Sequence, residues 1–502
     1  MSAPKTRSSG DQNRAEHGGL LDSLELVDLE ALSRPDTSKP RGRASLAGLI
    51  SWLLSLILRA IRYPPPGSLR LRRTSWLDGV RGVAAMAVFI FHAMGCWAPL
   101  VPAWHADKDQ TSLLQLPLIR TIFVSGGGAV SVFFVLSGYV LTHRCLGLIR
   151  AGSARDVYPA VASSAFRRGF RLYLPPIALT FCEMLMTRFG FAPPLNFSFK
   201  PEPTLLAQFL DWLASTNRLI NPLHNLPAAL RGTVAHPKYD AVIWTIPVEF
   251  YGSLACYALL ALLARSASHT RLRLALLALL PALAMVAGSW NLSCFTAGML
   301  LADLNLGQDD SLPPNPDPVQ RSRRTLLWSA VLALSFYVAG FPTLVFPSAR
   351  ADPMPGFETL RARIPAGAAS RMEDPARFWW SVAGAALLWS VSQLPRVKAV
   401  FETYLCQYLA KVSFALYLVH EFCIVLFGLR LQGWLMWLFG VGAAGQEKGV
   451  WYWVVCVVWF VVFGVPVFAV AAQVERWVDV PSVRFAKGVE ERCLRAWKKL
   501  RA

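Results

Sequence analysis

The sequence predicts an all-α fold, a polytopic bundle of transmembrane helices, from its composition, its apolar runs and the distribution of its charges. Of 502 residues, 54% are hydrophobic and 16% are charged, whereas soluble proteins carry about 25% charged residues. The formal net charge is +19, and 18 Trp and 29 Phe accompany it. Short cytosolic loops rich in Lys and Arg explain such an excess in a membrane protein. The composition therefore argues against an ordinary soluble enzyme, and we expect no nucleic-acid partner.

The amino-terminal region lacks a segment long enough to cross a bilayer. Residues 1–44 are polar, and they predict a disordered cytosolic tail. The first apolar run, from Ala44 to Leu58, spans 15 residues, fewer than the roughly 20 that a crossing needs. A proline-rich turn and several arginines follow it. Residues 45–74 therefore predict an interfacial helix and a basic linker.

Apolar segments of crossing length then follow one another through residues 75–474, which we interpret as one transmembrane domain of about ten spans. A basic cytosolic tail at 475–502 completes the chain. The predicted spans lie near residues 76–98, 119–142, 172–191, 242–264, 274–290, 291–303, 325–341, 378–394, 404–428 and 450–473.

The distribution of basic residues predicts that both termini are cytosolic. Four connections that then lie on the cytosolic side are rich in Arg, and so is the C-terminal tail. One connection, 342–377, contradicts the rule because it would be lumenal and yet contains five arginines. We expect a multi-pass integral protein of an endomembrane or the plasma membrane, in contact with membrane lipids.

The other long lumenal connection, about 192–241, contains the sequon Asn196-Phe197-Ser198. Such a sequon on the lumenal side predicts N-glycosylation at Asn196.

Ionisable side chains inside predicted spans are candidate functional residues, because an ionisable group at mid-bilayer costs roughly 3 kcal/mol or more. In the first span Arg81 and His92 are 11 residues apart. This spacing places both on one helical face, about 16 Å apart along the axis. Asp78, three residues before Arg81, is a natural ion-pair partner for it. The alternative role of His92 is a structural hydrogen bond between helices.

Two later spans contain further polar candidates. Glu249 lies in the fourth span beside Pro247, where a proline kink would open a cavity. We expect Glu249 to pair with His92, and a structural pair with an arginine is the alternative. In the ninth span Ser413, Tyr417 and His420 follow at spacings of four and three, so they share one face. Tyr417 and His420 would otherwise serve as interface anchors.

Small and basic residues around the second span suggest a ligand site as well. Three glycines open this span and Ser137 precedes a fourth, which permits close helix packing or the approach of a ligand to the backbone. A cytosolic basic cluster follows, and its guanidinium groups suit phosphate. The same cluster is otherwise a topology signal or a lipid-headgroup anchor. Its members include Arg144, Arg167, Arg168 and Arg171.

Six motifs in order make the chain resemble the acyltransferase 3 family of polytopic membrane acyltransferases, in its fungal-type branch. The resemblance covers residues from about 75 to about 472. The motifs are L-D-G-V-R-G with the spacing from Arg81 to His92, F-F-V-L-S-G-Y, R-R-G-F-R-L-Y-L-P, W-T-I-P-V-E-F-Y, F-T-A-G-M-L-L-A, and V-S-F-A-L-Y-L-V-H ending at His420.

This resemblance implies O-acyl transfer from acyl-CoA, most often acetyl-CoA, to a hydroxyl of a sugar, glycan, lipid or secondary metabolite. Acyl-CoA would be a co-substrate, and no bound cofactor is expected. The Arg and His pair of the family corresponds to Arg81 and His92, and its acidic residue corresponds to Glu249. His92 would be the general base and Glu249 would orient it. The acyl-CoA site would contain Arg81, Arg144, Arg167, Arg168 and Arg171, and the substrate pocket would contain Ser137, Trp244, Tyr417 and His420.

Other interpretations stay open at this point. We expect no metal, because His92, Glu249 and His420 lack a ligand spacing of the H-x-x-x-H type. A covalent acyl-histidine intermediate is an alternative route for the transfer. The alternative function is a transporter or flippase that uses the buried His, Glu and Arg as a substrate or proton path.

Overall fold

A computed structural model describes residues 69, 71–97, 103–105, 112–191, 201–231, 237–267, 269–311, 318–345, 354–442 and 449–501. Within these ranges the regular structure is helical and contains no strand. In chain order the α-helices are α1 (Ser75–Gly95), α2 (Ile119–Phe123), α3 (Gly126–Arg150), α4 (Ala154–Arg188), α5 (Leu205–Ile220), α6 (Pro222–Arg231), α7 (Thr245–Leu263), α8 (Thr270–Val286), α9 (Trp290–Ser311), α10 (Pro318–Ala339), α11 (Phe357–Ala362), α12 (Ala366–Ala369), α13 (Arg377–Gln393), α14 (Pro395–Phe401), α15 (Tyr404–Cys423), α16 (Leu429–Leu438), α17 (Val450–Val474) and α18 (Val480–Arg501). Short 3₁₀ turns at Leu113–Gln115 and Val242–Trp244, and π segments at Ile424–Gly428 and Glu475–Asp479, complete the secondary structure of these ranges.

The all-α prediction is confirmed, and five helical segments of the described residues are long and apolar enough to cross a membrane. They are Ser75–Gly95, Gly126–Arg150, Val242–Leu263, Tyr404–Leu438 and Val450–Leu500. Each of the ten predicted spans overlaps a helix. The chain is thus an integral membrane protein, while ten crossings and cytosolic termini stay predictions.

Several predicted boundaries differ from the structure. The third predicted span is only the second half of α4, which begins at Ala154, so the basic cluster of 167–171 lies on a helix and not in a connection. Pro247 lies in the first turn of α7, where a missing N–H costs little, so it does not kink the middle of this helix. The tail at 1–44, most of the segment 45–74 and Asn196 lie outside the described residues.

Helices α3 and α9 touch backbone to backbone at two glycines. A Cβ atom at Gly138 would overlap the carbonyl oxygen of Phe295, and one at Gly298 would overlap the carbonyl oxygen of Val135. Phe295 itself is fully buried and stacks on Phe134 at 5.4 Å between ring centroids. Absence of a side chain at both positions therefore sets the distance between these two helices.

A buried charge cluster joins three helices at the ends of α3, α8 and α9. Arg273 donates to both carboxylate oxygens of Asp303, at 2.9 and 3.1 Å, and Arg150 donates to the same carboxylate at 3.1 Å. The side chains of Arg273 and Asp303 have no solvent exposure. Because removal of one partner leaves the other charges uncompensated in a low dielectric, this cluster holds the three helices together.

We predict that Gly138→Val prevents close packing of α3 on α9 and abolishes the monodisperse folded protein. Gly147→Val is the matched control, because it lies on the same helix and nothing lies within 4 Å of the added Cβ atom. Size-exclusion chromatography of both variants in detergent checks the prediction. Equal recovery of the two variants would contradict it.

We predict that Asp303→Asn lowers the free energy of unfolding by about 3–5 kcal/mol, because two guanidinium groups lose their counter-charge. Glu358→Gln breaks the exposed pair of Glu358 with Arg361, whose side chains are half-exposed, and should change stability by about 1 kcal/mol or less. Thermal unfolding of the purified protein measures both. A similar small effect in both variants would show that the buried cluster contributes little.

Candidate functional site

Helices α1 and α15 pack along a seam that carries polar residues at both ends. Near the start of α1, Arg81 donates to Ser413 Oγ at 3.2 Å and to the carbonyl oxygen of Ala410 at 3.2 Å. Gly82 lets the helices approach, because a Cβ atom there would overlap the backbone of Ala410. Near the other end, His92 faces His420 with 5.0 Å between ring centroids. The predicted common face of Arg81 and His92 is therefore the face that contacts α15.

Two predicted pairings within this seam have different outcomes. Arg81 pairs with Asp78 at 3.1 Å, as the spacing of three residues predicts. His92 does not pair with Glu249: its Nδ1 lies 3.2 Å from Oε2 of Glu421. An ionised carboxylate only accepts hydrogen bonds, so Nδ1 of His92 carries the proton and Nε2 keeps its lone pair. In a neutral imidazole this contact leaves Nε2 as the acceptor atom.

The side chains of His92 and Glu421 are partly exposed among the described residues, at 32% and 29%. His420, which closes the other side, has no exposed surface. Its Nδ1 is 2.8 Å from the carbonyl oxygen of Tyr417 and 3.1 Å from that of Leu416. Carbonyls accept, so Nδ1 of His420 bears the proton. In the described part of the chain, Nε2 of His420 has no hydrogen-bond partner.

His92, His420 and Glu421 are also a possible metal-ligand set, although they do not follow the H-x-x-x-H spacing. One donor atom from each of His92, His420 and Glu421 lies within 4.8 Å of the other two. Two imidazoles and one carboxylate are ligands that zinc and iron accept. The expectation that no metal takes part thus stays a prediction.

Glu249 belongs to a second polar cluster and contacts Arg168, not His92. The Arg168 guanidinium binds the Glu249 carboxylate and donates to Ser253 Oγ at 2.8 Å. Ser137 also lies beside the Glu249 carboxylate. The structural alternative for Glu249, a pair with an arginine, is therefore what the structure contains, and the expected pair with His92 was wrong. Sequence spacing within a helix cannot specify a partner on another helix.

The predicted basic cluster converges on one cleft. Arg167, Arg168 and Arg171 line it, together with Ser164 and Tyr257, and the first turns of α18 form the remaining wall. Arg167 reaches across to Glu490 of α18 at 3.3 Å. Arg144 is exposed on α3 and is not among the lining residues. Three of the five predicted acyl-CoA residues therefore line this cleft, while Arg81 contacts Asp78 and α15.

The remaining predicted pocket residues are distributed over a wider area. Tyr417 exchanges a hydrogen bond of 2.6 Å with Thr245 and also donates to the carbonyl oxygen of Val242, so it ties α15 to the start of α7. Trp244 lies one residue before Thr245 and packs near Trp290. Ser137 belongs to the Glu249 cluster. Among the four predicted pocket residues, it is His420 that contacts the His92 ring.

Sequence reasoning missed three acidic residues around this centre. Glu421 follows His420 inside an apolar span, so the rule that marked Glu249 would have marked it too. Asp240 is buried before α7 and interacts electrostatically with His92 and Glu421. Burial raises the pKa of Asp240 to about 7, although the backbone N–H of Val242 opposes this shift. Glu183, on α4, is buried and interacts electrostatically with Asp240.

Comparison with known proteins identifies the family of the chain. The family described as "Acyltransferase domain" matches residues 74–469. The chain is 31% identical over 459 residues to the O-acetyltransferase PaAT-1 of Phomopsis amygdali, which covers 85% of this chain and 86% of the relative. It is 26% identical over 431 residues to the acyltransferase clz18 of Cochliobolus lunatus, covering 75% and 87%. It is 24% identical over 472 residues to the acyltransferase R4 of Phoma sp., covering 83% and 95%. No solved structure matches the chain. The chain therefore belongs to the acyltransferase 3 family and is a membrane acyltransferase related to enzymes of fungi.

Proposed function

We propose that this protein transfers an acetyl group from acetyl-CoA to a hydroxyl of a small molecule or glycan, with His92 as the general base. The observation that carries the proposal is the contact between His92 Nδ1 and Glu421 at 3.2 Å, in which both side chains are partly exposed. A relative is named an O-acetyltransferase, which supports both the acetyl group and an oxygen acceptor. The membrane would be an endomembrane or the plasma membrane.

The pair of His92 and Glu421 suits this reaction because the carboxylate holds the imidazole in one tautomer. Nε2 of His92 takes the proton of the acceptor hydroxyl while the hydroxyl oxygen attacks the thioester carbonyl carbon. The carboxylate of Glu421 stabilises the imidazolium that forms. The carbon–sulfur bond then breaks, and His92 returns its proton to the CoA thiolate. The products are the ester and free CoA.

The basic cleft suits the other half of the substrate. Arginine binds phosphate by two parallel hydrogen bonds, and Arg167, Arg168 and Arg171 share this cleft. We assign the nucleotide end of acetyl-CoA to it. Glu249 would then be a positioning residue, since its carboxylate holds Arg168. Arg81, near Arg171 and on the same helix face as His92, would lie between the two ends of the substrate.

We predict that His92→Ala lowers kcat about a hundredfold to ten-thousandfold, because the base is lost. Glu421→Gln should also lower kcat, by about a hundredfold, because an amide does not hold the same tautomer or stabilise the imidazolium. The assay uses the purified full chain, labelled acetyl-CoA and an extract of hydroxylated fungal metabolites, and mass spectrometry detects products that gain one acetyl group.

Glu249→Gln serves as the comparison in this assay. It removes a buried carboxylate from the Arg168 cluster, so it should raise KM for acetyl-CoA more than it lowers kcat. Full transfer by His92→Ala, or no transfer by the wild-type chain, would refute the proposed function. If Glu249→Gln lowered kcat and Glu421→Gln left kcat unchanged, Glu249 and not Glu421 would be the functional partner of His92.

We predict that Arg171→Gln raises KM for acetyl-CoA about tenfold to a hundredfold, since a hydrogen bond to a charged group contributes about 1.5–3 kcal/mol. The same variant should use S-acetylpantetheine, which lacks the nucleotide, as well as the wild-type chain does. Arg321→Gln, an exposed arginine on α10, is the control. An equal loss with both donors would mean that Arg171 supports the fold and does not bind phosphate.

A further inference from the structure

Three helices begin around Arg377, which also interacts electrostatically with Asp374 and Glu373. Arg377 is the first residue of α13, Trp290 is the first residue of α9, and Trp244 ends the turn that leads into α7. The Arg377 guanidinium carbon lies 4.3 Å from the centroid of Trp290 and 5.3 Å from that of Trp244. Both distances are those of cation–π contacts. The two indoles therefore hold the flat guanidinium in place.

The donors of Arg377 are unused. In the described ranges its guanidinium makes no hydrogen bond and no ion pair, and its Nε is buried without an acceptor. Asp374 lies close in sequence, but its carboxylate accepts from Thr343 Oγ1 at 2.5 Å and from the backbone N–H groups of Leu344 and Ala376. A buried donor without an acceptor is costly, so Nε of Arg377 gains from a ligand that accepts its hydrogen bond.

The recess around Arg377 is suited to an anion. The side chains of Arg377 and Trp244 are half-buried, so a ligand can reach them, while Trp290 forms the buried floor. The positive ends of three helix dipoles meet here and favour negative charge. A guanidinium fork binds a carboxylate through two hydrogen bonds.

The recess lies at the same end of the bundle as His92. Gly126 and Gly127 open α3 between them: a Cβ atom at Gly126 would meet the ring of Phe91, next to His92, and one at Gly127 would meet the ring of Trp380. Trp380 is one helical turn beyond Arg377. A hydrogen bond also links the two places: Thr245, which follows Trp244, bonds to Tyr417 on the helix of His420. Both places therefore adjoin the first turn of α3.

We propose that Arg377, with Trp244 and Trp290, is an anion subsite that holds the carboxylate of an acidic, hydroxylated acceptor while its hydroxyl reaches His92. This inference rests on the proposed function and names the substrate class. It also accounts for an arginine that the rule of positive cytosolic loops did not explain, since Arg377 serves a ligand and does not orient the chain.

The first test measures anion binding without catalysis. Benzoate should raise the melting temperature of the purified full chain, whereas benzamide, the neutral analogue, should not. Arg377→Gln should abolish the shift with benzoate, and Arg377→Lys should restore part of it, because the charge remains and the planar fork is lost. Arg371→Gln is the matched control, because Arg371 is exposed and already donates to the carbonyl oxygen of Val286. An equal shift in wild type and Arg377→Gln, or no shift in the wild type, would overturn the subsite.

The second test uses acyl transfer. The metabolite extract is divided into acidic and neutral fractions, and half of the acidic fraction is converted to methyl esters. The wild-type chain should acetylate the acidic fraction and lose this activity after esterification. Arg377→Gln should raise KM for the acidic acceptors tenfold to a hundredfold and leave KM for acetyl-CoA unchanged.

The outcomes separate the two proposals. No labelled product from any fraction would refute the proposed function, while the benzoate shift still tests the subsite. Equal transfer to neutral acceptors and to methyl esters would refute the subsite and leave the function intact. If the stability of the Arg377 variants depended on anionic lipid in the detergent micelle, and transfer did not depend on acceptor charge, Arg377 would bind a lipid headgroup. This result would overturn the proposal.

Discussion

The rest of the site depends on close packing of α1 against α15. Gly82 permits this packing, and the hydrogen bonds from Arg81 to Ser413 and Ala410 fix the register of the two helices. With the register set at one end, the rigid rise of a helix places His92 about 16 Å further along, against His420 and Glu421. A shift of one residue along this seam would turn these side chains away from each other.

Buried charges in this protein fall into two groups that differ in their partners. Asp303 pairs with two arginines, and Glu249 pairs with Arg168 and lies beside Ser137. The carboxylates of these clusters are paired inside the protein, so they stabilise the packing of helices or hold another side chain. His420 and Arg377 differ, because each keeps an unpartnered nitrogen within the described residues. In a low dielectric such atoms gain most from a ligand.

The arginines of the connection 342–377 illustrate how structure changes the meaning of a charge. The rule of positive cytosolic loops counts each arginine as a solvated charge. Here Arg371 donates to the carbonyl oxygen of Val286, Arg361 pairs with Glu358, and Arg377 lies over two indoles. Arginines that bind other parts of the protein carry less weight as topology signals, which removes much of the contradiction in this connection.

The sequence by itself determined the helical fold, the family and the faces within each helix. The common faces of Arg81 with His92, and of Ser413 with His420, follow from the helical period alone, and the structure places these four residues on one shared seam. Tyr417, between the last two, contacts α7 instead. The identity of partners across helices needed the tertiary structure. Glu421 and not Glu249 meets His92, and Arg377 meets Trp244 and Trp290, because glycine contacts and buried ion pairs set how far each helix turns and slides against its neighbours. The helical period contains no information about that rotation.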